Sequence, residues 1–388
     1  MSELSPVLTR LLAAQERVDE LRAAALRHGG RHFADLAYAN SYDGPAPETL
    51  AALRRAVDAV EGLALQYTPY GGTTVARRLA AEGLRESHGA PFDLKDVILT
   101  PGAMAALNVV FRSVRRDDEA SEVVVITPCW LDYPLYLENL GLRPRLVPLD
   151  WRTLRLDLAA IEAALSPRTR ALVLSQPANP TGLIYGEDEL RQLGELLARS
   201  PSRPLLVSDE CHRDLVFAPH VFASPGAHYD ATCVVYSFGK RLFLQGQRLG
   251  YAAVSPRHPA RRAYARTLEQ LTRVMGFCTP TALMQLAVGE LLRVPTELAG
   301  IERRRARTLA GLVDAGYDVV PTQATFFVYP RAPGGDGFAF AARLAEEGVF
   351  VLPSTVFHGD GHFRLSLTAS DEMLDRGLDV LRVAKAAS

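Results

Sequence analysis

Lys240 is one of three lysines in a chain with 43 Lys and Arg residues in total. It lies in the stretch SFGKRLFLQGQRLG, eight residues before Arg248. A lysine amine can form a Schiff base with a carbonyl, whereas a guanidinium group stays protonated and forms no imine near neutral pH. Arginine is instead well suited to hold an anion such as phosphate. This pair predicts covalent chemistry on a carbonyl beside an anion-binding site.

Further polar and aromatic groups follow short apolar runs that we predict to be strands. Gly102 follows DVILT, Trp130 follows EVVVIT, Asn179 follows RALVLS, Asp209 ends PLLVSD, and Ser237 ends CVVYS. Each of these residues alone is more often a turn former, a helix cap or a core side chain. In open α/β sheets, however, ligands bind outside the carboxyl ends of the strands. Their convergence there predicts a site.

One cofactor meets the chemical needs of this set. The segment TPGAMAAL (100–107) is a loop entering a helix, whose free N–H groups favour a phosphate, and Ser237 and Arg248 add further donors. An aspartate such as Asp209 keeps a pyridine nitrogen protonated, and Trp130 offers a face for a planar ring. Together with the Lys240 amine, these groups predict a site for pyridoxal 5′-phosphate, which acts as an electron sink.

The elements that must position these groups alternate between strand and helix from about residue 95 onward. Apolar runs without polar alternation are typical of strands buried on both faces, which predicts an α/β fold with a doubly wound, mostly parallel sheet. The N-terminal stretch predicts a helix with Ser5 as its N-cap and Gly29-Gly30 as its end. We predict three parts: an N-terminal helix and arm (1–45) joining the small domain, a large domain (46–290) and a small C-terminal α+β domain (291–388).

Composition and missing motifs exclude several classes of protein. A net charge of −1 argues against a nucleic-acid or membrane surface as the main partner. The four cysteines lack CxxC spacing, so we expect neither a disulfide framework nor a metal site. There is no signal-peptide pattern and no long apolar run, which predicts a cytoplasmic protein. No GxGxxG follows a strand, which argues against a dehydrogenase.

The chain resembles the class I/II aminotransferases, the fold-type-I family of pyridoxal-phosphate enzymes related to aspartate aminotransferase. The resemblance extends from about Asp35 to Thr368. Its most specific pieces are NPTG (179–182), SDE (208–210), SFGK (237–240) with GQRLG (246–250), and FRLSL (363–367). It implies a seven-stranded sheet, pyridoxal 5′-phosphate as cofactor, a homodimer with shared active sites, and transfer of an amino group between an L-amino acid and a 2-oxo acid.

The resemblance also implies roles for individual residues. Lys240 forms the Schiff base with the cofactor and moves the substrate proton, and Asp209 pairs with the pyridinium nitrogen. Other cofactor contacts fall to Gly102, Ala103, Met104, Trp130, Asn179, His212, Ser237 and Arg248, with Tyr67 reaching the phosphate of the neighbouring subunit. The substrate α-carboxylate falls to Arg364, and the substrate site also includes Asn179, Trp130 and Ala39.

Two departures from the family pattern leave alternatives open. His212 occupies a position where relatives commonly have tyrosine, and Ala39 lies where they often have glycine. Either His212 simply preserves one hydrogen bond, or the reaction differs and the chain is a lyase or an oxygen-using amino-acid oxidase or deaminase. A non-catalytic binding protein could dispense with Lys240 and Arg364, and both are present.

The sequence does not name the substrate side chain. Arg241 and Arg273 are the two candidates for a second carboxylate-binding arginine.

Overall fold

The computed structural model describes residues 6–116, 120–277 and 279–387, so the predicted N-cap Ser5 lies outside the described residues. The strands are β1 (Ala34–Asp35), β2 (Val97–Thr100), β3 (Glu122–Thr127), β4 (Arg143–Pro148), β5 (Thr169–Ser175), β6 (Leu205–Asp209), β7 (Thr232–Ser237), β8 (Gly250–Val254), β9 (Phe327–Val328), β10 (Val349–Phe350), β11 (Leu352–Pro353) and β12 (Phe363–Ser366). The helices are α1 (Pro6–Gly29), α2 (Pro47–Asp58), α3 (Thr74–His88), α4 (Gly102–Ser113), α5 (Tyr133–Asn139), α6 (Leu158–Ala164), α7 (Glu187–Arg199), α8 (Arg261–Met275), α9 (Ala282–Leu286), α10 (Val288–Arg293), α11 (Ala299–Asp314), α12 (Gly337–Glu346) and α13 (Asp371–Ala386).

The large sheet has seven strands in the order β2-β8-β7-β6-β5-β3-β4. All pairs are parallel except those of β8, which runs antiparallel to both of its neighbours. Every residue of β3, β6, β7 and β8 is buried, which explains why these strands are apolar without alternation. The predicted doubly wound, mostly parallel seven-stranded sheet is confirmed.

The order of the parallel strands brings their carboxyl ends to one edge of the sheet. Ser175 at the end of β5 pairs with Asp209 at the end of β6, and Asp209 in turn pairs with Val235 of β7. Residues that are far apart in the sequence therefore follow neighbouring strand ends. The candidate site lies at this edge.

A smaller set of strands includes the N-terminal segment. Ala34 of β1 pairs in parallel with Val349 of β10, and a separate antiparallel sheet has the order β11-β12-β9. The pairing of β1 with β10 joins Ala34–Asp35 to a strand in the C-terminal part of the chain. The predicted limits of the three parts stay predictions, and the boundary at 290 falls within α10.

The structure also bears on the expectations about membrane spans and disulfides. Among the described helices, none has the length and apolar character needed to cross a membrane. Cys129, Cys211 and Cys233 carry free thiols and are buried, while Cys278 lies outside the described residues.

Candidate active site

Lys240 lies on the loop that follows β7, at the carboxyl edge of the large sheet. Burial lowers the pKa of its ammonium group, and the positive charges of Arg364 and Arg248 act in the same direction, while Cys211 and Asp209 oppose them. The Nζ atom lies 5.6 Å from the centroid of the Phe326 ring. A lowered pKa leaves more of the amine unprotonated near neutral pH, which is the form that attacks a carbonyl.

Asp209 ends β6 and is buried. Its Oδ1 atom accepts a hydrogen bond from the Cys211 backbone N–H at 3.1 Å, and its Oδ2 atom accepts one from the Tyr133 hydroxyl at 2.5 Å. Burial raises the pKa of this carboxyl group, and the hydrogen bonds from Tyr133 and Cys211 act against that rise. The two donors stabilise the carboxylate form, which can pair with a protonated ring nitrogen.

Tyr133 is a site residue that the sequence analysis missed. It lies three residues after Trp130, at the start of α5, and its side chain is fully buried. The signal available in the sequence was its place in the segment PCWLDYP, immediately after a predicted strand. A buried tyrosine that donates to a buried carboxylate can act as a positioning residue, because its hydrogen bond orients Asp209.

An anion cradle forms where α4 begins. Gly102 has φ +77°, and a methyl group built on it would lie 2.6 Å from Nη2 of Arg248, so only glycine lets the guanidinium lie this close to the helix N-terminus. Ser237 lines the same cavity from the end of β7. Free helix N–H groups, a hydroxyl and a guanidinium together fit a phosphate.

Aromatic and amide side chains line the remaining walls. Trp130 packs edge-to-face against Tyr133 and Tyr136, with ring centroids 5.5 Å and 5.4 Å apart, which fixes its orientation. Asn179 is buried, and its Oδ1 atom accepts a hydrogen bond from Nη1 of Arg364 at 3.0 Å. Asn179 therefore links the cavity to the guanidinium beside it.

His212 is buried, and neither ring nitrogen has a hydrogen-bond partner in the described chain. Its ring lies edge-on to Phe326 and Phe327, at 5.4 Å and 5.7 Å between centroids. Burial lowers its pKa well below the usual value, and the charges of Lys240 and Arg364 lower it further. The imidazole is therefore neutral, and it can donate one hydrogen bond and accept another.

Arg364 lies on β12 with its guanidinium between two aromatic rings. Its Cζ atom is 3.9 Å from the centroid of Phe327 and 4.5 Å from that of Phe357. Nη2 donates to the Ala37 carbonyl at 2.8 Å, and Nε has no partner in the described residues. Burial lowers its pKa to about 9. A desolvated guanidinium with an unused N–H group is suited to clamp a carboxylate.

The cavity has a volume of about 180 Å³, several times the roughly 30 Å³ that one water molecule occupies. Of the predicted site residues, it is lined by Ala103, Met104, Trp130, Asn179, Asp209, His212, Ser237, Lys240 and Arg248. Its lining also includes Leu107, Ser175, Cys211, Gly239 and Gln245, which the sequence analysis did not single out.

The remaining predicted residues lie beside the cavity or away from it. Gly102 lies against Arg248, Arg364 bonds to Asn179, and the Ala39 carbonyl accepts a hydrogen bond from Gln245. Tyr67 is fully exposed and does not reach this chain's own cavity.

The two candidate arginines for a second carboxylate have other surroundings. Arg241 donates to the carbonyls of Leu291 and Val294 at the end of α10, at 2.6 Å and 2.9 Å. The exposed Arg273 lies 5.6 Å from the ring centroid of Tyr70. Neither lines the described cavity.

A lysine that lines one cavity with an anion cradle and a buried aspartate, at the carboxyl edge of this sheet, is the arrangement expected of a pyridoxal-phosphate enzyme of fold type I. Residues 31–381 match the family Aminotransferase class I and II, and the chain belongs to that family. It is therefore a pyridoxal-phosphate-dependent aminotransferase, which confirms the predicted activity and cofactor.

Individual relatives agree with this assignment. The chain is 29% identical over 334 residues to the probable aspartate/prephenate aminotransferase of Aquifex aeolicus, covering 83% of each chain. It is 30% identical over 406 residues to the aspartate/prephenate aminotransferase of Cereibacter sphaeroides, covering 96% of each. The solved aspartate aminotransferase of Thermus thermophilus with maleate has a TM-score of 0.85 at 27% identity, covering 99% of this chain and 100% of that one.

Proposed function

We propose that the enzyme transfers the amino group of a neutral, largely apolar L-amino acid to a 2-oxo acid at the cavity around Lys240. One observation carries the assignment of this site. Lys240 Nζ and Arg364 Cζ lie 5.6 Å and 3.9 Å from the rings of the adjacent residues Phe326 and Phe327. A reactive amine and a carboxylate clamp thus share one aromatic wall. An α-amino acid needs both groups at once.

The chain supplies a holding group for each part of the cofactor. The N-terminus of α4, Ser237 and Arg248 would hold the phosphate, Trp130 would cover one ring face, and Asp209 would hold the proton on the ring nitrogen. Bound pyridoxal 5′-phosphate supplies an electron sink for breaking a bond at the substrate α-carbon. The hydrogen bonds from Tyr133 and Cys211 to Asp209 favour its charged form and so oppose the rise in pKa that burial causes.

Lys240 moves the substrate proton. With a substrate bound, the Lys240 amine would be the proton carrier of the site, since its lowered pKa leaves Nζ able to accept the proton from the substrate α-carbon and to hold it there for return. Neutral His212, whose two ring nitrogens have no partner in the described residues, would offer a hydrogen bond to the bound cofactor. Arg364 fixes the α-carboxylate, and Asn179 orients that guanidinium through the bond at 3.0 Å.

The preference for a neutral side chain follows from the charges and apolar groups of the site. Lys240 and Arg248 are the cations among the lining residues of the described cavity, and both have assigned roles. Met104, Leu107 and Trp130 supply apolar surface there. Two of the relatives are named for aspartate and prephenate. An acidic side chain here needs a cation from outside this cavity, since Arg241 is occupied at the end of α10.

A homodimer forms part of this proposal. Tyr67 is fully exposed, and Leu63, Leu65, Tyr70 and Phe277 are exposed apolar side chains. A second copy that covers these residues could receive Tyr67 at its phosphate site. Cytoplasmic location stays a prediction from the sequence.

Two experiments test the proposal. The purified protein with cofactor should absorb in the visible, and borohydride should fix the cofactor's mass to the peptide that carries Lys240. Lys240→Ala should lose both properties, and a mutant that keeps them overturns the assignment.

A panel of amino donors then tests the reaction. Neutral donors should convert the cofactor stoichiometrically to its amino form and stop there until a 2-oxo acid is added. Continued release of product without an oxo acid would instead support the lyase or oxidase alternative that His212 keeps open. A strong preference for aspartate would reject the proposed side-chain class.

A further inference from the structure

Residues 36–42 form an arm that lies next to the cavity, since the carbonyl of Ala39 is hydrogen-bonded to the cavity-lining Gln245. Most of its hydrogen bonds join it to residues in β10 and β12 or just after β12. Leu36 N–H donates to Phe350 O at 2.9 Å, Thr368 Oγ1 donates to Tyr38 O at 3.0 Å, and Tyr42 N–H donates to Thr368 O at 2.9 Å. The arm is thus fastened on one side of the cavity.

A hydrogen bond from a side chain joins the arm to the loop that carries Lys240. The side-chain Nε2 of Gln245 donates to the Ala39 carbonyl at 3.0 Å. Gln245 also lines the cavity together with Lys240 and Arg248. Its amide therefore bridges from the anion cradle across to the arm.

The backbone turn that carries Gln245 is held in place by a hydrogen bond and by its conformation. Its own carbonyl accepts a hydrogen bond from Nη1 of Arg248 at 2.7 Å. Phe243 and Arg248 on either side have left-handed backbones, with φ of 50° and 49°. Residues without glycine's freedom keep such conformations only where the surroundings hold them there. A rigid turn of this kind can aim a side chain.

The arm in turn touches the carboxylate clamp. The Ala37 carbonyl, two residues before Ala39, accepts the bond from Nη2 of Arg364 at 2.8 Å. A displacement of Ala39 moves this carbonyl, and with it an acceptor that orients the guanidinium. Hydrogen bonds thus run from Arg248 through Gln245 and the arm to Arg364.

We propose that Gln245 is a positioning residue that holds the arm beside the cavity and thereby keeps Arg364 aligned for the substrate carboxylate. The proposal rests on the proposed function for its kinetic consequence, but the fastening of the arm does not depend on which reaction occurs. The residue needs an N–H donor because its partner is a backbone carbonyl. It needs the length of glutamine to reach that carbonyl.

The test compares Gln245→Leu with Gln247→Leu in the cofactor-loaded enzyme. Both glutamines lie in the same short turn, Gln245–Gln247, and Gln247 is exposed. Hydrogen exchange of the amides in residues 36–42, followed by mass spectrometry, should become about three- to tenfold faster in Gln245→Leu. It should stay unchanged in Gln247→Leu. Cofactor content and visible absorbance should match wild type in both.

Steady-state kinetics supply the second readout. In Gln245→Leu the KM for the amino donor should rise by about three- to tenfold, with kcat changed less than twofold, because the clamp is misaligned but the cofactor is not. Gln245→Asn, which keeps the amide but not its reach, should behave like Gln245→Leu. Equal arm exchange in Gln245→Leu and wild type, or equal acceleration in Gln247→Leu, overturns the proposal.

These readouts separate the two proposals. If wild type shows no transamination of neutral donors but Gln245→Leu still accelerates exchange in the arm, the proposed function fails and the fastening role stands. If neutral donors react as proposed but hydrogen exchange in the arm is the same in Gln245→Leu and wild type, the proposed function stands and the role of Gln245 is rejected.

Discussion

The Tyr133 hydroxyl donates a hydrogen bond of 2.5 Å to Oδ2 of Asp209, and Asp209 lines the cavity whereas Tyr133 does not. Both side chains are buried, so neither can exchange this bond for one to bulk water. The bond therefore affects two properties of Asp209, its orientation and its ionisation. A hydrogen bond to the charged form of a buried acid stabilises that form.

Tyr133→Phe should impair the cofactor chemistry without unfolding the protein. A hydrogen bond to a charged group contributes about 1.5–3 kcal/mol, so loss of this one should lower kcat by roughly ten- to a hundredfold. The pKa of Asp209 should rise further, and a pH titration of the bound cofactor's absorbance should shift accordingly. Measurements of kcat and of this titration test the expectation.

Tyr264→Phe provides the control. Tyr264 is another tyrosine in a structural hydrogen bond, to Ser113 at 2.8 Å, and it lies outside the cavity. Its loss should leave kcat and the absorbance titration unchanged. Equal effects of the two substitutions would show that Tyr133 acts only through general stability.

Arg364→Lys should separate charge from geometry at the carboxylate clamp. Lysine keeps a positive charge but loses the planar fork and the packing between Phe327 and Phe357. We expect the KM for the amino donor to rise by about one to two orders of magnitude, with cofactor binding unaffected. Steady-state kinetics beside a cofactor titration measure both properties. A KM within twofold of wild type would remove Arg364 from the clamp.

His212 predicts a pH dependence of stability. Its folded-state pKa lies well below the value of about 6.5 of an unfolded histidine, so under mildly acidic conditions the unfolded chain binds a proton that the folded chain does not. The stability that comes from the neutral imidazole is present above about pH 6.5 and is lost as the pH falls below it.

His212→Gln should remove this component. In cofactor-free protein, the free energy of unfolding should then decline less steeply below about pH 6.5, by up to about 1.4 kcal/mol per pH unit. Urea unfolding at a series of pH values measures the slope. His220→Gln, at an exposed position, is the matched control. Parallel curves for wild type and His212→Gln would mean that His212 takes up its proton equally in the folded and unfolded chain, so that folding does not lower its pKa.

The sequence predicted much of the large sheet and cavity because buried parallel strands are apolar runs and their ends carry distinctive polar groups. It did not predict β4, whose residues are mostly exposed at the sheet edge and include Pro144 and Pro148. Nor did it predict β8, since Gly250–Val254 follows the Arg248 turn without a helix between. Tyr133 and Gln245 were missed for a different reason. Their roles depend on hydrogen bonds to Asp209 and Ala39, which sequence spacing does not encode.

Asp209→Asn should separate catalysis from stability. Burial of the carboxylate is unfavourable, as its raised pKa indicates, and asparagine has nearly the same shape without the charge. The melting temperature of the cofactor-free protein should therefore stay the same or rise. Turnover should fall by at least about a hundredfold, because an amide cannot hold the proton on the ring nitrogen. Thermal unfolding and single-turnover absorbance of the same preparation measure the two effects. A parallel loss of melting temperature and turnover would instead make Asp209 a structural residue whose charge the reaction does not use.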